Sequence, residues 1–384
     1  MRSIDEELNA LRDASLFRSL RTLDSPQQAG IQSSGRALRN FSSNDYLGFA
    51  AAAEVREALV EGIARWGAGS GASRLICGTL GPHTALEEAL ADYKGTAAAL
   101  TFSSGYAAAT GTLTALMGRG DVIILDKLCH ASLIDGARLS GATLRVFPHN
   151  NLDRLEHLLR WASREAGPRG RVVVVTESIF SMDGDRAPLR EIVDLKDAAG
   201  ALLMVDEAHA LGICGHHGRG LAEDLGVADR VDIQMGTLSK SAGLHGGYIC
   251  ASRPVIDLLI NRARSFIYST APPPAVAAAA TTVISRLLPG SFGDHRRRIL
   301  EDLIQRFAAL MQGRITPPQS AILPVIIGSE AAAMARSAAL LADGFLIPAI
   351  RFPTVARGSA RLRVTLTASH TTEEVEALAA ALLQ

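Results

Sequence analysis

Lysine is scarce in this 384-residue chain, and the scarcity narrows the search for a reactive amine. Only Lys94, Lys127, Lys196 and Lys240 occur among 39 basic residues, the other 35 being arginine. A lysine amine can attack a carbonyl carbon and hold it as a Schiff base. Lys196 falls in LREIVDLKDAAG, where the helical period puts it on a solvated face. Lys94 ends a helical segment before Gly95, where a cation suits the helix dipole. Lys127 follows an apolar run but lacks small neighbours. Lys240 sits in GTLSKSAG, just past the run VDIQM, and open parallel sheets bind ligands beyond the carboxyl ends of their strands. A surface loop lysine would read the same way, so position alone leaves both readings open.

Three other features give Lys240 company. In ALLMVDEAHALG, Asp206 ends an apolar run and His209 follows three residues later. A carboxylate at a strand end can pair with a protonated pyridine nitrogen and keep a cofactor ring an electron sink. His209 would then reach that ring's 3′ oxygen; alternatively Asp206 caps the next turn and His209 is a satisfied, half-buried residue. The run AALTF leads into SSGYAAATGTLTAL (103–116), a helix start whose free N–H groups suit a phosphate. Helix capping explains Ser103 and Ser104 equally well. His130, in DKLCHASLIDG, follows another strand end and could stack on a flat ring or cap the next helix.

Composition and spacing exclude several competing chemistries. Lys plus Arg and Asp plus Glu both total 39, which removes the electrostatic case for a nucleic-acid or membrane-surface partner. Asp206-Glu207-Ala208-His209 spells the DEAH box of some helicases, but no lysine is preceded by glycine, so the phosphate-binding loop is missing. Gly67, Gly69 and Ala72 approximate a dinucleotide fingerprint, yet they follow a helical segment rather than a strand. His209, His216 and His217 lie among Gly212, Gly215 and Gly218, which suits a loop and not a ligand helix, so no metal is expected. Cys77, Cys129, Cys214 and Cys250 are far apart, as in a reducing compartment. The N-terminus lacks the apolar core of a signal peptide, and the apolar stretch 271–288 is broken by three prolines and Arg286. A soluble, cytoplasmic protein is expected.

The elements that must position these residues follow from the hydrophobic pattern. Short apolar runs occur at 97–102, 121–126, 143–147, 171–177, 201–206, 231–235 and 246–251, separated by helical periods. Near-continuous apolar strands interleaved with helices predict an α/β fold with a mostly parallel sheet covered on both faces. The 246–251 run follows its neighbour too closely for a helical crossover, so it is predicted antiparallel. Beyond Pro274 an Ala-rich helix runs to about Leu288, and a charged amphipathic helix follows Gly293. A strand at 322–327, a helix at 330–343, strands near 345–350 and 361–366, and a helix from Thr371 capped with Glu374 make a smaller α+β domain. The expected segmentation is an N-terminal helix and arm (1–45), a large domain (46–285) and a small C-terminal domain (286–384).

Taken in order, FSSNDYLGF (41–49), SRLICGT (73–79), SSGYAA (103–108), HASLIDG (130–136), ESIFSMDGD (177–185), DEAHALG (206–212), GTLSK (236–240) and IYST (267–270) resemble the α-oxoamine synthases. These are enzymes of pyridoxal 5′-phosphate (PLP) with the aspartate-aminotransferase-like fold, fold type I. The stretch AIRFPTVARGSARLRVTLTASHT (349–371) is most similar to the branch that joins L-alanine to a pimeloyl thioester, of CoA or acyl-carrier protein, in biotin biosynthesis. The resemblance implies that Lys240 carries PLP, that Asp206 pairs with its pyridine nitrogen, and that His209 and Ser181 contact its 3′ oxygen. It implies that His130 stacks on the ring and that Gly105, Tyr106 and Thr237 bind the cofactor. Ser269 and Thr270 would reach the phosphate of a neighbouring subunit, which implies a homodimer. Asn44, Arg351, Thr354 and Arg18, with Arg21 as rival, match substrate-side positions. The chain departs from the family pattern at Ala109, Leu211, Ser241 and Ala242. Rival readings are a glycine-using synthase with the same cofactor residues (2-amino-3-ketobutyrate ligase or 5-aminolevulinate synthase) and a nucleotide-binding module that catalyses nothing.

Overall fold

A computed structural model describes residues 3–14 and 16–384. The chain divides into two compact units, one of residues 1–48, 182–184 and 298–384, the other of residues 49–181 and 185–297. The boundaries therefore fall at 48/49 and 297/298, where the sequence segmentation has 45/46 and 285/286. The N-terminal arm groups with the C-terminal residues.

The chain opens with helix α1 (Ile4–Asp13) and strands β1 (Gly30–Ser33) and β2 (Arg36–Asn40). Then come α2 (Ala53–Trp66), α3 (Gly81–Lys94), β3 (Ala98–Phe102), α4 (Gly105–Leu116), β4 (Val122–Asp126), α5 (Ala131–Ser140) and β5 (Thr143–Phe147). They are followed by α6 (Leu152–Glu165), β6 (Val172–Glu177), α7 (Leu189–Ala198), β7 (Leu202–Asp206), α8 (Leu221–Asp224), β8 (Ile233–Thr237) and β9 (Gly247–Ala251). Helices α9 (Arg253–Arg262), α10 (Arg264–Ile267) and α11 (Pro274–Thr282) lead to the long α12 (Ser291–Leu310). The chain ends with β10 (Ile322–Gly328), α13 (Glu330–Ala342), β11 (Phe345–Leu346), β12 (Ala349–Ile350), β13 (Ala360–Thr365) and α14 (Thr372–Leu383).

The larger unit is built on one seven-stranded sheet of order β3-β9-β8-β7-β6-β4-β5. All seven predicted apolar runs are strands of it. β5, β4, β6, β7 and β8 run parallel, and β9 is antiparallel to both β3 and β8, as its short connection requires. The central strands carry apolar side chains on both faces because helices cover both. Ile123 and Leu125, Val173 and Val175, and Ile233 and Met235 face a core shared with Leu113 of α4, Leu133 of α5 and Leu259 of α9. The alternate residues Ile124, Val174 and Leu203 are equally buried on the other face.

Parallel β4, β6, β7 and β8 all point the same way, and each ends in a polar residue: Asp126, Glu177, Asp206 and Thr237. β4 is flanked by β5 and β6, so the chain reverses its direction of travel across the sheet there. Such a switch point opens a crevice at the carboxyl edge.

The smaller unit holds two three-stranded sheets, β1-β2-β11 and β10-β13-β12, with α13 packed on the second. The β1–β2 hairpin escaped the sequence reading. The amphipathic helix predicted after Gly293 begins earlier, at Ser291. The cap predicted at Thr371 is present: Thr371 Oγ1 accepts from Glu374 N while the Glu374 carboxylate accepts from Thr371 N. No single helix among the described residues is long and apolar enough to cross a membrane.

Candidate active site

A cleft of about 250 Å³ opens at the carboxyl edge of the large sheet, lined by Ser104, Gly105, Tyr106, His130, Ser132, Glu177, Asp206, Ala208, His209, Met235, Thr237, Ser239 and Lys240. Seven of the ten residues predicted to bind the cofactor line it: Gly105, Tyr106, His130, Asp206, His209, Thr237 and Lys240.

Lys240 projects from the turn between β8 and β9. Leu238 N donates to Gly246 O (2.9 Å), Gly243 N to Lys240 O (2.9 Å) and Leu244 N to Leu238 O (2.9 Å). Gly243 has φ +66°, and a Cβ there would lie 2.4 Å from Ala50 N, so glycine is required. Thr237 closes the base of the turn, its Oγ1 donating to Gly246 O (2.7 Å) and accepting from Ser239 N (3.2 Å). Lys240 Nζ then lies 2.8 Å from His209 Nε2.

Asp206 has the capping role offered for it, and it also faces the cleft. Its Oδ1 accepts from Ala208 N (2.9 Å), which caps the turn, and its side chain lines the cleft. Burial raises its pKa above the ordinary aspartate value, and the nearby Lys240 charge opposes that rise. His130 likewise caps a helix and lines the cleft. Its Nδ1 accepts from Ser132 N (3.2 Å) as the cap of α5 and bonds Ser132 Oγ (2.8 Å), which leaves Nε2 free of the cap. Desolvation lowers its pKa, against the pull of Asp206. Ser104 caps α4 by accepting from Ala107 N (3.1 Å), and the helix N-terminus that follows borders the cleft. Tyr106 is half exposed and donates its hydroxyl to Asp135 Oδ2 (2.8 Å).

Glu177 is the residue the sequence reading passed over. It ends β6 as Asp206 ends β7, and the two pair in register. RVVVVTE ends in a strand-end carboxylate just as ALLMVD does. Glu177 is fully buried, accepts the His130 backbone N–H, and titrates well above the ordinary range because of burial and the neighbouring Asp206.

Ser181, Ser269 and Thr270 do not line the cleft of this chain. Ser181 follows β6 in the 178–187 excursion. Ser269 and Thr270 lie after α10, where Thr270 is exposed and bridges Ser73. The four substrate-side candidates all belong to the smaller unit, and three come together there. Arg18 Nη2 donates to Thr354 Oγ1 (3.4 Å), while Arg351 Nη2 donates to Phe17 O (2.9 Å) and its Nη1 to Met334 Sδ (2.8 Å). It is Arg18, not its rival Arg21, that reaches Thr354. Asn44 Oδ1 accepts from Arg363 Nη2 (3.1 Å) and Tyr46 OH (3.4 Å), which leaves its amide donors directed away from both.

The other lysines have structural duties, and one corrects the sequence reading. Lys196 is buried, not on a solvated face, because Asp232 (2.9 Å) and Asp197 (2.8 Å) hold its ammonium. Lys94 is also buried and pairs with Glu207 and the Arg219 carbonyl. Lys127 is exposed. At the departures from the family pattern, Ala109, Leu211 and Ala242 are fully buried, and Ser241 buries a hydroxyl without a hydrogen-bond partner beside Lys240.

The family model described as aminotransferase class I and II matches residues 37–382. The chain is 47% identical to an 8-amino-7-oxononanoate synthase of Geobacter sulfurreducens over 99% of its own length and 97% of the relative's. It is 48% identical to one from an Anaeromyxobacter species, over 99% and 94%. Among solved structures, a serine palmitoyltransferase of S. paucimobilis with bound PLP and myriocin superposes with a TM-score of 0.91 at 30% identity, covering 98% of this chain and 95% of that one. An 8-amino-7-oxononanoate synthase of Francisella tularensis superposes with a TM-score of 0.76 at 27% identity, covering 90% and 96%. Fold and near-full-length identity agree: the chain belongs to the aminotransferase class I and II family, and within it to the group of the 8-amino-7-oxononanoate synthases.

Proposed function

We propose that this chain condenses L-alanine with a pimeloyl thioester, of CoA or acyl-carrier protein, to give 8-amino-7-oxononanoate, CO₂ and the free thiol in biotin biosynthesis. The observation that carries the reading is the Lys240 amine 2.8 Å from His209 in a cleft also lined by Asp206 and His130, in a chain 47% identical to such a synthase over nearly its full length.

The donor set fits PLP. The amine of Lys240 suits its aldehyde, the buried carboxylate of Asp206 suits its ring nitrogen, and the free N–H groups that start α4 suit its phosphate. Gly105 supports the fit, since a Cβ there would fill the space in front of Thr237, 3.5 Å away. When bound, PLP supplies an electron sink for the pair released from the α-carbon of alanine.

The chain's own residues do the rest. Lys240 would hold the cofactor through Nζ, and the same amine, when free, would take the α-proton of alanine. A base so positioned contributes ~10²–10⁴-fold. His209 steadies that amine from Nε2 and afterwards polarises the new ketone. Asp206 would hold the ring nitrogen through its carboxylate and favour the protonated form of that nitrogen. His130, its ring fixed through Nδ1, would stack against the cofactor. Ser181 serves the 3′ oxygen. Arg351 pairs with the alanine carboxylate, for which its planar fork is matched. Arg18, Asn44 and Thr354 serve the acyl substrate. Ser269 and Thr270 act on the phosphate of a second subunit, so the working form is a homodimer.

Borohydride reduction with peptide mapping tests the cofactor assignment. A pyridoxyl group on Lys240 is expected, and one on Lys94, Lys127 or Lys196 would overturn it. Serine and glycine, offered beside alanine, test the amino-acid choice against the serine palmitoyltransferases of like fold and the glycine-using relatives.

A further inference from the structure

We propose that His149, outside the cleft, is a positioning residue that clamps the two segments presenting His130 and Ser181. The clamp is an imidazolium held between two carboxylates. His149 Nδ1 lies 3.1 Å from Asp126 Oδ1, and Nε2 lies 2.7 Å from Asp185 Oδ2. A neutral imidazole has one N–H and one lone pair, so one of these contacts would set lone pair against carboxylate. Both contacts are good only when both nitrogens carry protons.

Each carboxylate belongs to a different segment. Asp126 ends β4 and is fully buried. It accepts from Leu128 N (2.8 Å), in the turn that leads to His130, and from Asn150 N (2.9 Å) beside the histidine. Asp185 is on the return leg of the 178–187 excursion, which closes on itself through Phe180 N to Asp185 O (3.0 Å) and Ala187 N to Ser178 O (3.0 Å). Ser181 stands on that excursion. The Phe180 ring meets the imidazole edge to face at 4.3 Å and 86°, which fixes the ring plane.

The charged groups that bear on the ring are these two aspartates. Burial acts against the charged ring, but the hydrogen bonds to Asp126 and Asp185 outweigh it, and the pKa rises to about 10. The clamp is thus closed throughout the neutral range. Its consequence for the cofactor rests on the proposed function; its mechanics do not.

Hydrogen exchange on the cofactor-free protein separates the two. In His149→Phe and in Asp185→Asn, amides of 127–130 and of 178–187 are expected to exchange together at least ~10-fold faster than in wild type, since each variant breaks a charge-assisted pair. Asp185→Asn keeps a partner for the ring and serves if the first variant folds poorly. Acceleration confined to residues 149–150 in either variant would overturn the clamp. PLP titration by absorbance is expected to show binding weakened about tenfold in both variants, and unchanged binding would also overturn it. Failure of the wild type to bind PLP would instead sink the proposed function, with the exchange data still deciding the clamp.

Discussion

At the scale of single residues, the proposed condensation rests on Lys240 as an amine and Asp206 as an anion. Lys240→Ala is expected to lower turnover by at least ~10²–10⁴-fold with melting unchanged, and retained turnover would remove Lys240 from the mechanism. Asp206→Asn keeps an acceptor for Ala208 N but loses the charge. It is expected to lower kcat far more than it raises the KM for alanine, because the missing interaction belongs to the transition state. An increase in KM alone would make Asp206 a capping residue only. Much of this site was legible from residue type beside strand ends. Asp206, His209, His130 and Lys240 each follow a short apolar run, and Asp206 and His130 also have the capping roles that the structure upholds. Glu177 was missed although it obeys the same rule as Asp206. Lys196 was misread because a polar position on an amphipathic helix looks solvated until Asp232, distant in sequence, supplies a buried partner.

At the scale of elements, caps and close approaches hold the site in place. Thr371→Ala removes the hydroxyl that accepts from Glu374 N and is expected to cost about 1 kcal/mol, read from denaturant midpoints. Gly236→Ala would bring a Cβ to 2.3 Å from the Tyr248 hydroxyl, one strand away in β9. Overpacking of that kind costs about 1–3 kcal/mol, and here it strains β8 just ahead of Thr237 and Lys240. A variant as stable as wild type would mean the strands yield more than the packing implies. The large sheet was legible because its strands are apolar on both faces, and β9 was assigned antiparallel from the length of its connection. The β1–β2 hairpin was not, since GIQS and RALRN are short and polar. Its signal lay in the turn: Ser34 and Gly35 both have positive φ (51° and 75°), the geometry a two-residue hairpin requires.

For the whole molecule, His149 makes one contribution to the pH dependence of stability. Its folded pKa, about 10, lies above the ordinary histidine value of 6.5, so its contribution to stability is complete below pH 6.5 and lost as pH rises through 10. The stability difference between wild type and His149→Phe is expected to shrink across that window; parallel curves would mean the ring is neutral when folded. The N-terminal arm and the C-terminal residues form one unit, a pairing no local pattern announces because it joins segments some 250 residues apart. The central claim, alanine condensation with decarboxylation, is tested most directly with carboxyl-labelled L-alanine and pimeloyl thioester supplied to the PLP-loaded enzyme. The account predicts one labelled CO₂ released for each thiol freed, with glycine and serine giving neither at a comparable rate. Thiol release that does not depend on alanine, or label retained in the product, would contradict it.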